Sequence, residues 1–167
     1  EFPKPLLIPY IVINVIGLAL IPLALNLPKL ARVVFVFMFL AVAGFLLGYC
    51  MSITDKLVQF YEPLVLDGVD VFILGPFAEH TGKFIIGSAV YLIIAAAFLA
   101  YKAPWVRVGV VMGILAFLGL MPLGIGSFFP LPLFGSVALL FTLATTYKRP
   151  IWFVAPTEVR QRKRSRA

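Results

Sequence analysis

Cysteine occurs once, at Cys50, and histidine once, at His80, in a chain of 167 residues. A lone cysteine excludes an intrachain disulfide, a CxxC redox centre and a multi-cysteine metal site. A lone histidine excludes bis-histidine haem ligation by this chain alone. Charge is scarce too: Asp, Glu, Lys and Arg make up 13% of the residues, about half the usual share of a soluble domain, roughly 25%. The sequence holds no G-x-S-x-G elbow, P-loop, H-E-x-x-H helix or dinucleotide fingerprint, which leaves the common soluble-enzyme classes without their machinery.

What fills the chain instead is apolar. Hydrophobic residues are 62% of the total and the mean hydropathy is +1.07. These values predict an all-α, multi-pass integral membrane protein, because its apolar runs match about 30 Å of hydrocarbon at a rise of about 1.5 Å per residue. Cutting the chain at its charges gives five runs, at 5–27, 33–51, 84–101, 106–126 and 131–147. A charge at mid-bilayer is costly, so charges mark the run ends. Residues 1–147 then form one helical bundle with an outer loop at 52–83, and 148–167 form a basic cytoplasmic tail.

The first run carries Pro9, Asn14 and Pro22 and is expected to kink. Pro130 and Pro132 suggest a tight turn between the last two helices. Between the helix ends so drawn the one ionised side chain is Arg107, a single residue inside the fourth run; the strongly polar groups include Asn14, Ser88, Thr142, Thr145 and Thr146. Ion-coupled transport, which usually places a charged residue in the membrane, is disfavoured. A neutral-solute path, or an ion site lined by carbonyls around Pro22 or Pro122, stays open.

Orientation follows from the distribution of Lys and Arg. Lys29, Arg32, Lys102 and Arg107, together with the tail, fall on one side of a five-crossing chain, which the positive-inside rule assigns to the cytoplasm. The N-terminus and the 52–83 loop fall outside. Of the net charge of +7, the last 20 residues hold seven basic groups against one acid. Such a segregated tail is read as a topology anchor and a contact for anionic headgroups through Arg160, Arg162, Lys163, Arg164 and Arg166, not as a nucleic-acid face. Ile151, Trp152 and Phe153 fit an aromatic belt ahead of it. The chain opens on Glu1 rather than Met, and the alternatives are processing or an incomplete assignment; no n-region, h-region and cleavage site are visible.

Small residues recur at helix-packing intervals. Gly44-x-x-x-Gly48 and Gly109-x-x-x-Gly113 would let backbones approach, as would Ala95, Ala96 and Ala97. The Phe35, Phe37, Phe39 and Phe45 face of the second helix is equally suited to lipid and to a partner.

The outer loop gathers Asp55, Glu62, Asp67, Asp70 and Glu79 against Lys56 and Lys83, a net of −3. Its apolar residues ask for a covering surface, so a short interfacial helix is expected around 55–62, with Phe60 and Tyr61 toward lipid or protein. Val69 to Leu74 permits an extended strand, and Gly75-Pro76 a turn into the third helix. Phe72 and Phe77 complete the docking candidates. Asp67, Asp70, Glu79 and His80 are acceptable ligands for zinc, manganese, iron or copper, with the two aspartates converging across Gly68. Their spacing matches no established loop, so docking takes precedence over metal binding. Glu79 suits the helix dipole and Thr81 is a possible N-cap.

Asp55-Lys56-Leu57 closing a membrane helix, the outer amphipathic segment, Glu79 before a glycine-containing helix and Arg107 opening the next resemble the DoxX family of small four-helix membrane proteins over about 33–147. The resemblance implies a role beside membrane redox systems, with metal or quinone contact at the outer loop. The residues themselves favour a non-catalytic structural or accessory subunit of a larger membrane complex, such as a respiratory or photosynthetic one. The rival expectation is a small homo-oligomeric transporter or channel.

Overall fold

The computed structural model describes residues 7–61, 68, 70–121, 130–144 and 150–151. Among them the regular structure is entirely helical: α1 (Leu7–Asn26), α2 (Pro28–Gly48), α3 (Thr54–Tyr61), α4 (Asp70–Phe72), α5 (Ala78–Ala100), α6 (Trp105–Leu120) and α7 (Leu131–Thr142). A 3₁₀ turn, Cys50–Ile53, links α2 to α3, and a π-helical turn, Ile73–Phe77, links α4 to α5. Two helical stretches, Pro28–Ile53 and Ile73–Ala100, are long and apolar enough to span a membrane. The apolar helices Tyr10–Asn26, Trp105–Leu120 and Leu131–Thr142 are shorter.

Local chemistry explains the breaks. Leu27 alone separates α1 from α2, where Pro28 opens the next helix at a position that needs no N–H donor. α1 stays continuous through Pro22, and the Nδ2 groups of Asn14 and Asn26 donate to the carbonyls of Tyr10 and Pro22, each at 2.9 Å. At 70–74, within the Val69–Leu74 stretch whose composition permits an extended strand, the chain is helical and π-helical. The β-branched residues there carry only a weak, context-dependent propensity, and Ile73 is buried in the helical form. Gly75 leaves helical geometry at φ −99° and ψ −109°, next to Pro76. Gly68, at φ 90°, sits in the left-handed region that favours glycine.

α5 begins six residues before the charge-based boundary at 84 and so includes Glu79, His80 and Lys83. Its backbone departs from helical geometry at His80. Thr81 is not an N-cap, because its hydroxyl donates to the Phe77 carbonyl at 2.8 Å instead of accepting a backbone N–H. Of the turn expected between the last two helices, around Ser127 to Pro130, all but Pro130 lies outside the described residues.

The five long helices form a ring of neighbours, α1–α2–α5–α6–α7, closed by α7 against α1. Residue pairings give their directions. Arg32, near the start of α2, meets the end of α5, while the 3₁₀ turn after α2 lies beside the start of α5, where Met51 approaches Gly82. Gly113 of α6 faces Leu139 of α7 and Gly135 faces Phe117, so these helices are antiparallel as well. All five long helices supply the core, from Leu20 and Ala24 of α1 to Ala95 and Leu99 of α5 and Leu139 of α7, and between α2 and α6 Phe35, Phe39 and Phe117 meet with ring centroids 5.8–6.4 Å apart. Offset and tilted contacts of this kind suit the ring quadrupoles. Phe37 and Phe45 point outward. The second-helix phenylalanines are thus divided between core and exterior.

Candidate functional site

Two ends of the bundle carry its ionisable groups. At the first, α3 closes over the start of α5: Leu57 is buried with Cys50 and Ile85, and Leu46 and Ile53 pack beside them. Part of the apolar surface between α2 and α5 is therefore covered by this same chain. In the outer segment Val71, Phe72 and Leu74 stay exposed. Phe72, Phe77 and Phe84 form a triangle of rings with centroids 5.4–6.2 Å apart. Phe84, the third ring, was not among the docking residues expected from sequence; its signal was the i, i+7 spacing from Phe77 along one helical face.

Of the metal candidates, Glu79 and His80 lie exposed on the first turn of α5. Asp70 opens α4, with its side chain outside the description, and Asp67 lies outside the described residues. Among the described residues no three His, Cys, Asp or Glu side chains come together as a metal-holding group. Phe60 and Tyr61 end α3, and their side chains are likewise outside the description. Cys50 is buried as a free thiol.

The second end is built around Arg32. The charge-based boundary at 33 put this residue in a loop, but α2 starts at Pro28 and carries Arg32 inside, at 3% exposure. Its Nε donates to the carbonyl of Leu99 and its Nη2 to the carbonyl of Tyr101. These are carbonyls of the last turn and C-cap of α5, which have no partner further along that helix. A guanidinium there both satisfies them and meets the negative end of the helix dipole. Ala100 is served separately, accepting from the Ile151 N–H at 3.1 Å. The sequence signal for this arrangement was Pro28, a helix opener four residues ahead of the arginine.

The other buried polar side chains among the described residues are Thr81, Ser136 and Thr142. Ser136 and Thr142 donate to the carbonyls of Pro132 and Leu139, at 2.8 and 2.7 Å. Tyr91 of α5 donates to the Met112 carbonyl of α6 at 2.9 Å, tying neighbouring helices. Asn14 Oδ1 is buried without a partner.

The packing glycines differ from one another. A Cβ added to Gly109 would lie 2.5 Å from the Leu99 nitrogen and 3.0 Å from the Ala95 oxygen, so α5 and α6 touch backbone to backbone. At Gly113 the same atom would meet Leu139 at 2.7 Å and Phe39 at 2.9 Å. Gly44 and Gly48 face open space. A Cβ added at Gly17 or Gly135 would likewise lie 2.6 Å from a neighbouring side chain, Leu131 and Phe117 respectively. The tail residues Arg160, Arg162, Lys163, Arg164 and Arg166 lie outside the described residues, as do Trp152 and Phe153.

The chain matches no family model, no curated protein and no solved structure. The resemblance to the DoxX family therefore rests on the quoted positions alone.

Proposed function

We propose that this chain is a five-crossing integral membrane protein, N-terminus out and C-terminus in, that serves as a non-catalytic structural or accessory subunit of a larger membrane complex. The observation that carries the reading is the contrast between its interior and its exterior. Inside, Arg32, Ser136 and Thr142 are turned to backbone carbonyls of the bundle itself. Outside, large apolar side chains such as Ile11, Phe37, Phe45, Val111, Leu115 and Leu140 are uncovered along the long helices. An apolar exterior of this extent needs lipid or other helices against it. Gly44 and Gly48 supply a smooth strip on that exterior where a foreign helix could approach.

Orientation rests on the same end holding Lys29, Arg32, Lys102 and Arg107, with Ile151 bringing the start of the basic tail beside Ala100. α1, α5 and α7 then run toward the cytoplasm and α2 and α6 away from it. The described parts of α6 and α7 extend over about 24 Å and 18 Å. The outer end presents Phe72, Phe77 and Phe84 as the docking surface.

Purification of the full chain from its native membrane in mild detergent, followed by mass analysis, tests the proposal. Foreign subunits in fixed stoichiometry are the expected result. A stable homo-oligomer that carries solute in liposomes would overturn it in favour of a small transporter or channel.

A further inference from the structure

The bundle sorts its charges by end. Around α3 and the start of α5, Lys56 and Lys83 share the surface with Glu79 and His80. At the opposite end, where α2 and α6 begin and α5 finishes, the described ionisable side chains besides tyrosine are Lys29, Arg32, Lys102 and Arg107, with no acid among the described residues there. Arg32 is buried and committed to the carbonyls of Leu99 and Tyr101. The remaining three are exposed. Their places in the fold share this end: Lys29 lies one turn ahead of Arg32 on α2, Lys102 follows the Tyr101 carbonyl that Arg32 holds, and Arg107 occupies the first turn of the next helix.

Aromatic rings stand among these cations. Trp105 stacks on Phe98 with centroids 5.2 Å apart and planes at 17°, and is still 46% exposed. Tyr101 is exposed, and Lys102 Nζ lies 5.9 Å from its ring centroid. Half-exposed Trp and Tyr rings at the end of apolar helices favour the depth of lipid headgroups. Exposed cations at that depth meet phosphodiesters.

We propose that Lys29, Lys102 and Arg107, framed by Tyr101 and Trp105, bind the headgroup of an anionic phospholipid in the leaflet at this end, at a site separate from the C-terminal tail. The site rests on the membrane reading above. Each cation beside an anionic surface contributes about fivefold to lipid preference.

The test uses the full chain in mild detergent, with bound phosphatidylglycerol and phosphatidylcholine counted by native mass spectrometry. Wild type is compared with K29Q/K102Q/R107Q and with the tail variant R160Q/R162Q/K163Q/R164Q/R166Q. Wild type and tail variant are expected to retain phosphatidylglycerol preferentially, while the rim variant loses that preference by about tenfold or more. Inorganic phosphate is expected not to displace the lipid. An unchanged preference in the rim variant overturns the proposal, as does a preference that disappears with the tail alone or a lipid displaced by phosphate. Should the triple variant not fold, Lys102→Gln alone is expected to lower the preference about fivefold, and no change there overturns the site. Alkaline carbonate extraction separates the two failures. A chain released by carbonate ends the membrane reading and the site with it, whereas a retained chain without anionic preference ends only the site.

Discussion

Replacing Arg32 by alanine removes a buried guanidinium and leaves the end of α5 without its two donors. Hydrogen bonds from a charged donor are worth about 1.5–3 kcal/mol each, so the pair contributes about 3–6 kcal/mol. Against this stands the desolvation of a charge that is 3% exposed. That penalty is about 2.5–3.5 kcal/mol for arginine at the centre of a membrane helix and smaller toward an end. After the substitution the Tyr101 carbonyl, on an exposed residue, can turn to water, but Leu99 is 1% exposed and its carbonyl stays dry. An orphaned buried acceptor costs about 1–3 kcal/mol. The net expectation for Arg32→Ala is a loss of about 2–4 kcal/mol, read as a fall of roughly 5–15 °C in the thermal midpoint of the detergent-purified protein. Arg32→Lys keeps the charge but cannot fork across two carbonyls, and should lose about half as much. Arg32→Met restores bulk without donors and should behave like alanine. An Arg32→Ala midpoint within about 1 °C of wild type would refute the capping account, and a methionine variant as stable as wild type would show that bulk alone mattered.

The glycines give a sharper contrast than the repeat motif suggests. Gly109→Ala should destabilise by about 1–3 kcal/mol in chemical denaturation, since its Cβ would meet backbone, whereas Gly44→Ala should be neutral or gain up to about 1 kcal/mol of helix propensity; equal losses at both would contradict the packing. Phe117→Ala should cost about 2 kcal/mol in lipid or detergent, from a cavity of about 100 Å³, rather than the 3–5 kcal/mol or so of a water-soluble core; a loss near 5 kcal/mol would argue for an aqueous surround. With Cys50 buried, a Ser165→Cys chain should label from the cytoplasmic side alone; labelling from outside would reverse the topology and move the acidic loop with it. Metal content should be the same in wild type, Asp67→Ala, Asp70→Ala and His80→Ala, and a drop in any variant would revive a metal site at the outer loop.

Much of the architecture was legible from hydropathy, because a long apolar run with charges at its ends has few alternatives to a helix. The short helix expected around 55–62 is α3, Thr54–Tyr61, where polar and apolar residues alternate at helical spacing. Boundaries drawn at charges were less secure. They assume that every charge lies outside a helix, which holds for Lys102 and fails for Arg32 and Lys83. The strand permitted at Val69–Leu74 illustrates the converse, since β-branched composition is a weak guide and residues 70–74 are helical or π-helical.

The sequence by itself determined the class of element, the segregation of basic charge and the absence of a multi-cysteine or bis-histidine centre, since these depend on composition and on order along the chain. Only the tertiary structure decided which glycines meet a neighbour. Gly44-x-x-x-Gly48 and Gly109-x-x-x-Gly113 read alike, yet one pair faces open space and the other lies against α2, α5 and α7. It also decided that Arg32, alike in sequence to any other cation near a helix end, is enclosed by the finish of α5. A side chain's environment is set by helices distant in sequence, and the acceptors that hold Arg32 lie 67 and 69 residues away.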